Sequence, residues 1–307
     1  MELTTISTED DFPLAARRFA PGGRPRAVVL LPAAMGVRQD FYFPFARFLA
    51  EHGFAALTFD YRGMGASVAP GQSGTLRGFG ADLNDWAADY GAALRHARAW
   101  HAGVPLLVVG HSLGGQLPGI VPENELIDGI VTVAAGSGYW RDNALPLRRF
   151  VWLLWYAIAP LSIRICGYFP GKRLRMVGDL PAGVMRQWGR WCKSPHYISD
   201  EAGRPLRAGF DRIRAPVLSL SFTDDEMMSR RSIDSLHDCY RHAQVERRAI
   251  APEEIGARRI GHFGFFREQF RPTLWQQALR WLEQRALDAA RQRQGLDQPA
   301  RRQLHVV

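Results

Sequence analysis

The segment Gly110-His111-Ser112-Leu113-Gly114, entered directly from the apolar run Leu106 to Val109, constrains the fold of this chain more than any other feature. A serine with a glycine two residues on either side fits a turn so sharp that larger neighbours would collide. A buried strand must lead in and a helix must lead out, and Gly115 lets that helix pack closely. Such an elbow presents Ser112 as a candidate nucleophile. The surrounding chain agrees, because short apolar runs alternate with helical periodicity as in a mostly parallel sheet covered on both faces. The strands are expected at Ala27 to Leu31, Ala55 to Phe59, Leu106 to Val109, Ile130 to Ala134, Val217 to Ser221 and Val245 to Ile250. Helices are expected around Phe45, Phe48 and Leu49, closed by Gly53, and over Ala81 to Trp100 with Trp86, Tyr90, Leu94 and Ala97 inward. A last helix is expected near Pro272 to Leu287, burying Leu274, Ala278 and Trp281 or their neighbours.

A serine hydroxyl at its ordinary pKa does not attack at neutral pH. It needs a base, and the base needs a carboxylate to hold its tautomer. Downstream, His262 in Gly261-His262-Phe263-Gly264 is the candidate base, while His111 is expected to point away from the site and His237 and His242 to lie in a polar helical segment. The acid falls within Asp224-Asp225-Glu226; counting from Pro216, where a strand opens, favours Asp225, with Asp224 as the alternative or an exposed loop carboxylate. An oxyanion would need two backbone donors. The N–H of Leu113 is one candidate, and the small-residue loop Pro32-Ala33-Ala34-Met35-Gly36 offers Met35 or Ala34 as the second.

Other chemistries find little support. The loop Asp60-Tyr61-Arg62-Gly63-Met64-Gly65 has Val68 where a dinucleotide fingerprint needs its third glycine, so it reads as structural. Neither a Walker A loop nor an H-E-x-x-H pair occurs, so no cofactor and no metal is expected. The net charge of +9 comes almost wholly from arginine, with Lys172 and Lys193 as the two lysines, scattered among acids rather than interleaved with aromatics. That pattern argues against nucleic acid while leaving peripheral contact with anionic lipid open. Cys166, Cys192 and Cys239 match no disulfide, zinc or redox spacing, and the first residues show no secretion signal, so a cytoplasmic location is expected.

Residues 137–211 break the strand-helix rhythm and hold five of the nine tryptophans: Trp140, Trp152, Trp155, Trp188 and Trp191. They are expected either to line an apolar pocket for a small-molecule acyl substrate or to form the insertion's own core. The run Phe150 to Ile163 is read as too short to span a bilayer. The division expected is a core of 1–136 and 212–287, a cap of 137–211, and a flexible basic tail of 288–307.

Taken together, the Pro32 to Gly36 loop, the Asp60 to Ser67 loop, the Gly110 to Gly115 elbow, Asp225 and His262 resemble the α/β-hydrolase superfamily over about 26–287. Within it they resemble the branch of monoglyceride lipases and serine-aminopeptidase-like hydrolases, and bacterial predicted hydrolases. The chain order Ser, Asp, His is that of this superfamily. Ala33-Ala34 stands where the branch commonly carries His-Gly. The resemblance implies a mostly parallel sheet flanked by helices, an inserted helical cap, and cofactor-free acyl transfer through the serine. Hydrolysis of a carboxylic ester is the first reading. Amide or peptide hydrolysis and acyl transfer to another acceptor are alternatives, and a non-catalytic binding protein on the same fold is a third.

Overall fold

The computed structural model describes residues 1–68, 74–145 and 147–297. Among them eight strands form one sheet: β1 (Glu2–Ser7), β2 (Pro13–Phe19), β3 (Val28–Leu31), β4 (Ala55–Phe59), β5 (Leu106–His111), β6 (Gly129–Val133), β7 (Val217–Phe222) and β8 (Val245–Ile250). Their spatial order is β1-β2-β4-β3-β5-β6-β7-β8. From β4 to β8 every pairing is parallel, while β1 and β2 are antiparallel to their neighbours. The six expected strands are all present, within one or two residues at their ends. The β1–β2 hairpin was not anticipated. Its buried residues, such as Ile6, Leu14, Ala16 and Phe19, alternate with more exposed ones, so it lacks the continuous Val/Leu/Ala runs that mark strands buried on both faces.

Helices α1 (Phe43–Glu51), α2 (Leu83–Trp100), α8 (Arg230–His237) and α9 (Leu274–Asp297) pack on the sheet. Helix α2 starts on a reciprocal cap: the Asp82 carboxylate accepts the N–H groups of Asn84 and Asp85, and the Asp85 carboxylate accepts that of Asp82. Its inward residues are Trp86, Tyr90, Leu94 and Ala97, as expected. Helix α9 buries Leu274, Ala278 and Leu282, with Trp281 only half-buried. It continues ten residues past the expected end at Leu287, to Asp297. Good helix formers such as Ala289, Arg291 and Gln292 carry it on after the apolar period has weakened. Residues 298–307 of the expected tail lie outside the described residues.

Between β6 and β7 the chain leaves the sheet. It forms a continuous helix of α4 (Leu147–Leu153), a π-helical turn (Leu154–Ile158) and α5 (Ala159–Cys166), then α6 (Ala182–Lys193) and α7 (Ala208–Arg212). Three of the five tryptophans take the two expected roles and two take neither. Trp155 and Trp188 meet edge to face at 4.8 Å on a cavity wall, whereas Trp191 is fully buried and donates to the Ser199 carbonyl at 2.8 Å. Trp152 faces outward, and Trp140 stacks under the Arg141 guanidinium.

Candidate active site

The carboxyl ends of β3, β5 and β7 open on one side of the sheet, where the Pro32 to Gly36 loop, Ser112 and the Asp224 to Glu226 loop follow them. Ser112 caps α3 (Leu113–Gln116) in a strained conformation, φ 49° and ψ −110°. A non-glycine residue there costs ~1–3 kcal/mol and must be held by its surroundings. The hold is visible: the Ser112 N–H donates to Val133 O at 2.9 Å, and its own carbonyl accepts the N–H groups of Gly115 and Gln116. Glycine is required at the flanks, since a Cβ on Gly110 would collide with the Gly114 carbonyl and one on Gly114 with the Pro32 carbonyl. Ser112 is 8% exposed, and its hydroxyl makes no hydrogen bond to its own helix.

His262 is 2% exposed and shares one cavity of about 490 Å³ with Ser112. Its Nδ1 stands 2.9 and 3.2 Å from the two carboxylate oxygens of Asp225. The Asp225 carboxylate also accepts the N–H groups of Met227 and Met228, at 2.7 and 2.9 Å. The three consecutive acids take three separate partners. Asp224 accepts from the N–H groups of Ile260 and Gly261 at 2.8 and 3.1 Å, and Glu226 accepts from that of His262 at 3.1 Å. Asp224 is therefore no idle surface carboxylate, as one expectation held. It fixes the backbone of the loop that carries His262.

The candidate oxyanion donors separate. The Ala34 N–H donates to the Tyr42 hydroxyl at 2.9 Å, pointing into the core, which corrects the expectation that it could face a substrate. Met35 and Leu113 both line the cavity, and no backbone acceptor takes their N–H groups among the described residues. The Ala34 contact continues inward. The Tyr42 hydroxyl lies 2.9 Å from His111 Nδ1, and His111 Nε2 lies 3.0 Å from the His262 carbonyl. Burial, then the neighbouring His262, hold the His111 pKa well below that of an ordinary histidine, so the ring is neutral. A carbonyl only accepts, so Nε2 carries the proton, Nδ1 accepts, and the Tyr42 O–H donates to it. His111 is thus turned away from the cavity yet tied to both loops that flank it. This link escaped sequence reasoning, because nothing local connects positions 34, 42, 111 and 262.

The Asp60 loop has the structural role expected of it. Its carboxylate accepts the Gln39 N–H at 2.8 Å and the Gln39 side-chain amide at 2.9 Å, fixing the turn that carries Tyr42. Arg62 pairs with the buried Asp89 at 2.7 Å and with Asp10 at 2.7 Å. No group of His, Cys, Asp and Glu side chains suited to a metal ion occurs among the described residues.

The cavity walls are mainly apolar. Val151, Leu154, Trp155, Met185 and Trp188 face Ser112 from the segment between β6 and β7. Polar exceptions include Asn143, Arg175 and Gln116, the last with its amide donating to the Gly136 carbonyl and accepting from the Tyr197 hydroxyl, each at 2.7 Å.

The sequence profile of the serine aminopeptidase family, S33, matches residues 23–165. Solved structures similar to this chain include a soluble variant of monoglyceride lipase from Saccharomyces cerevisiae in complex with a substrate analogue, at 20% identity and a TM-score of 0.62, covering 92% of this chain and 94% of that one. An esterase from Exiguobacterium antarcticum matches at 15% identity and a TM-score of 0.60, covering 91% and 99%. A thermostable carboxyl esterase from Bacillus coagulans matches at 10% identity and a TM-score of 0.66, covering 93% and 98%. Its strand order and serine elbow give this chain the α/β-hydrolase fold that it shares with these solved structures, and its residues 23–165 are similar to the serine aminopeptidase family.

Proposed function

We propose that this protein is a serine hydrolase that cleaves a carboxylic ester with an apolar acyl chain. The observation that carries the reading is the pairing of His262 Nδ1 with Asp225 in a cavity that also holds the strained Ser112. Asp225 fixes the tautomer that leaves His262 Nε2 free to take the Ser112 proton. Ser112 Oγ then forms a bond to the ester carbonyl carbon, and the N–H groups of Met35 and Leu113 stabilise the oxyanion. Collapse of that intermediate breaks the bond to the alcohol, which leaves with the proton held by His262. Water, losing its proton to His262, then releases the acid and regenerates Ser112. Support for an ester comes from the apolar walls and from the similar esterases and lipase, while the serine aminopeptidase match keeps an amide substrate as the second reading. Residues 137–211 act as the cap that shapes this pocket. The three cysteines are unpaired, which fits the expected cytoplasmic location.

The test is hydrolysis of p-nitrophenyl esters of increasing chain length by the native protein and by Ser112→Ala. Native turnover with a clear chain-length optimum, reduced by ~10³-fold or more in the variant, is expected. Equal turnover by the two proteins would refute the assignment of Ser112. Cleavage of aminoacyl p-nitroanilides in place of every ester would move the substrate to the amide class.

A further inference from the structure

We propose that the helix Leu147–Cys166, with the turn that follows it, docks on the surface of a bilayer containing anionic phospholipid. Of the thirteen large apolar side chains exposed among the described residues, nine fall between Leu145 and Met176. The helix is built inside out relative to an ordinary surface helix. Its inner side, at Val151, Leu154 and Trp155, lines the cavity, and its outer side presents Phe150, Leu153, Tyr156, Leu161 and Ile165 at 41–67% exposure. Scattered apolar residues on a surface need no explanation, but a contiguous apolar face does.

Charge identifies the occupant. Residues 145–178 contain five arginines and one lysine and no Asp or Glu. Lys172 meets Asp179 at 3.7 Å, whereas Arg148, Arg149, Arg164, Arg173 and Arg175 form no ion pair among the described residues. A second copy of this chain docked symmetrically on the same face would set these cations against each other. An anionic lipid surface satisfies both features: apolar side chains enter the acyl boundary and arginines meet the phosphates. This helix is the one candidate among the described residues long and apolar enough to cross a membrane, at 20 residues and a mean hydropathy of 1.3, longer than the Phe150 to Ile163 run implied. Its inner side packs on the protein, so it lies along the bilayer instead of spanning it. The helix and the Arg175 to Gly178 turn border the same cavity, so a docked protein would present that cavity to molecules residing in the lipid.

The docking surface does not depend on Ser112 being a nucleophile, so the experiment uses Ser112→Ala and reads binding without turnover. Sedimentation with vesicles of equal parts phosphatidylcholine and phosphatidylglycerol is compared with phosphatidylcholine alone. Binding to the mixed vesicles is expected to be ~10-fold or more tighter, and to weaken as salt shortens the Debye length from ~10 Å at ~0.1 M to ~3 Å at ~1 M. The triple change Phe150→Gln, Leu153→Gln and Leu161→Gln is expected to lower binding ~10-fold or more at an unchanged melting temperature. A second variant, Arg148→Gln with Arg149→Gln and Arg164→Gln, touches no apolar contact and should abolish the preference for phosphatidylglycerol. Three outcomes overturn the proposal: no binding to the mixed vesicles, equal binding to both vesicle types, or undiminished binding by the triple variant. A concentration-dependent dimer that the triple variant dissolves would assign the face to a second copy instead.

Discussion

Replacing Tyr42 with Phe removes one oxygen atom from a fully enclosed position and leaves the ring in place, so no cavity is created. Two buried partners lose their contact: the Ala34 N–H, which donates to that oxygen, and His111 Nδ1, which accepts from it. His111 cannot recover by moving its proton to Nδ1, because Nε2 would then set a lone pair against the His262 carbonyl 3.0 Å away. Each stranded buried group costs ~1–3 kcal/mol, and relief of the tyrosine's own desolvation returns part of that, so Tyr42→Phe is expected to destabilise the protein by about 3 kcal/mol. The assay is equilibrium urea denaturation followed by fluorescence, with the slope checked for constancy so that the midpoint shift reads stability. The companion is a double-mutant cycle with His111→Phe. Removing both polar partners of that contact together should cost less than the two single changes added, by ~1 kcal/mol or more. Turnover of a short ester should also fall ~10-fold in Tyr42→Phe, since Ala34 adjoins the proposed donor Met35 and the link ends on the His262 loop. A stability loss below ~0.5 kcal/mol, or strict additivity in the cycle, would refute the claim that the Ala34–Tyr42–His111–His262 link is a structural unit.

Three further outcomes follow from the same structure. Asp225→Asn preserves shape but offers an amide that favours the wrong His262 tautomer, so kcat should drop ~10³–10⁴-fold with KM little changed; activity within tenfold of native would remove Asp225 from the mechanism. His237 is fully enclosed, with Nδ1 2.7 Å from the Ile233 carbonyl and Nε2 2.8 Å from the Thr132 hydroxyl, and burial pulls its pKa down from 6.5 to about 4. The unfolded chain therefore binds a proton below pH ~6.5 that the folded protein refuses, so stability is complete above that pH and falls by ~3 kcal/mol as pH drops to ~4. His237→Gln should flatten that part of a stability-versus-pH curve, and an unchanged slope would contradict the reading. Gly114→Ala should prevent the elbow from forming beside the Pro32 carbonyl, read as loss of soluble expression or a drop in melting temperature of several degrees; a native-like melting temperature would show that the elbow has more room than its geometry allows.

The parts of the fold legible in the sequence were those with a short-range signature. The central strands announce themselves because a parallel strand covered on both faces is apolar at every position, as Val28–Leu31 and Leu106–Val109 are. Ser112 was legible because its turn admits only glycine at fixed offsets, and His262 because it sits between glycines of its own. The β1–β2 hairpin was not, since an edge hairpin with one wet face carries a weak pattern that Thr and Arg blur further. The helix Leu147–Cys166 is longer than its apolar run suggests because Arg148, Arg149 and Arg164 bracket that run. Pro160 lies inside that continuous helix, directly after the π-helical turn at Leu154–Ile158, the kind of local widening that accompanies an interior proline. Long-range partners left no local trace. Asp224 and Asp225 are neighbours of one chemical type, and only the folded positions of Ile260 and His262 separate their tasks.

That division of labour bears on how the loop after β7 can vary across evolution. Three adjacent carboxylates each hold a different point on the segment from Ile260 to His262, like three teeth in one rack. Point changes at neighbouring exposed positions leave the teeth engaged. Insertion or deletion of a single residue between β7 and the three acids would slide every tooth by one place, offering Asp224 or Glu226 to the imidazole and leaving the backbone amides at one end of the rack without an acceptor. Outside the three acids the loop is free to drift in composition, and its length is fixed by their spacing.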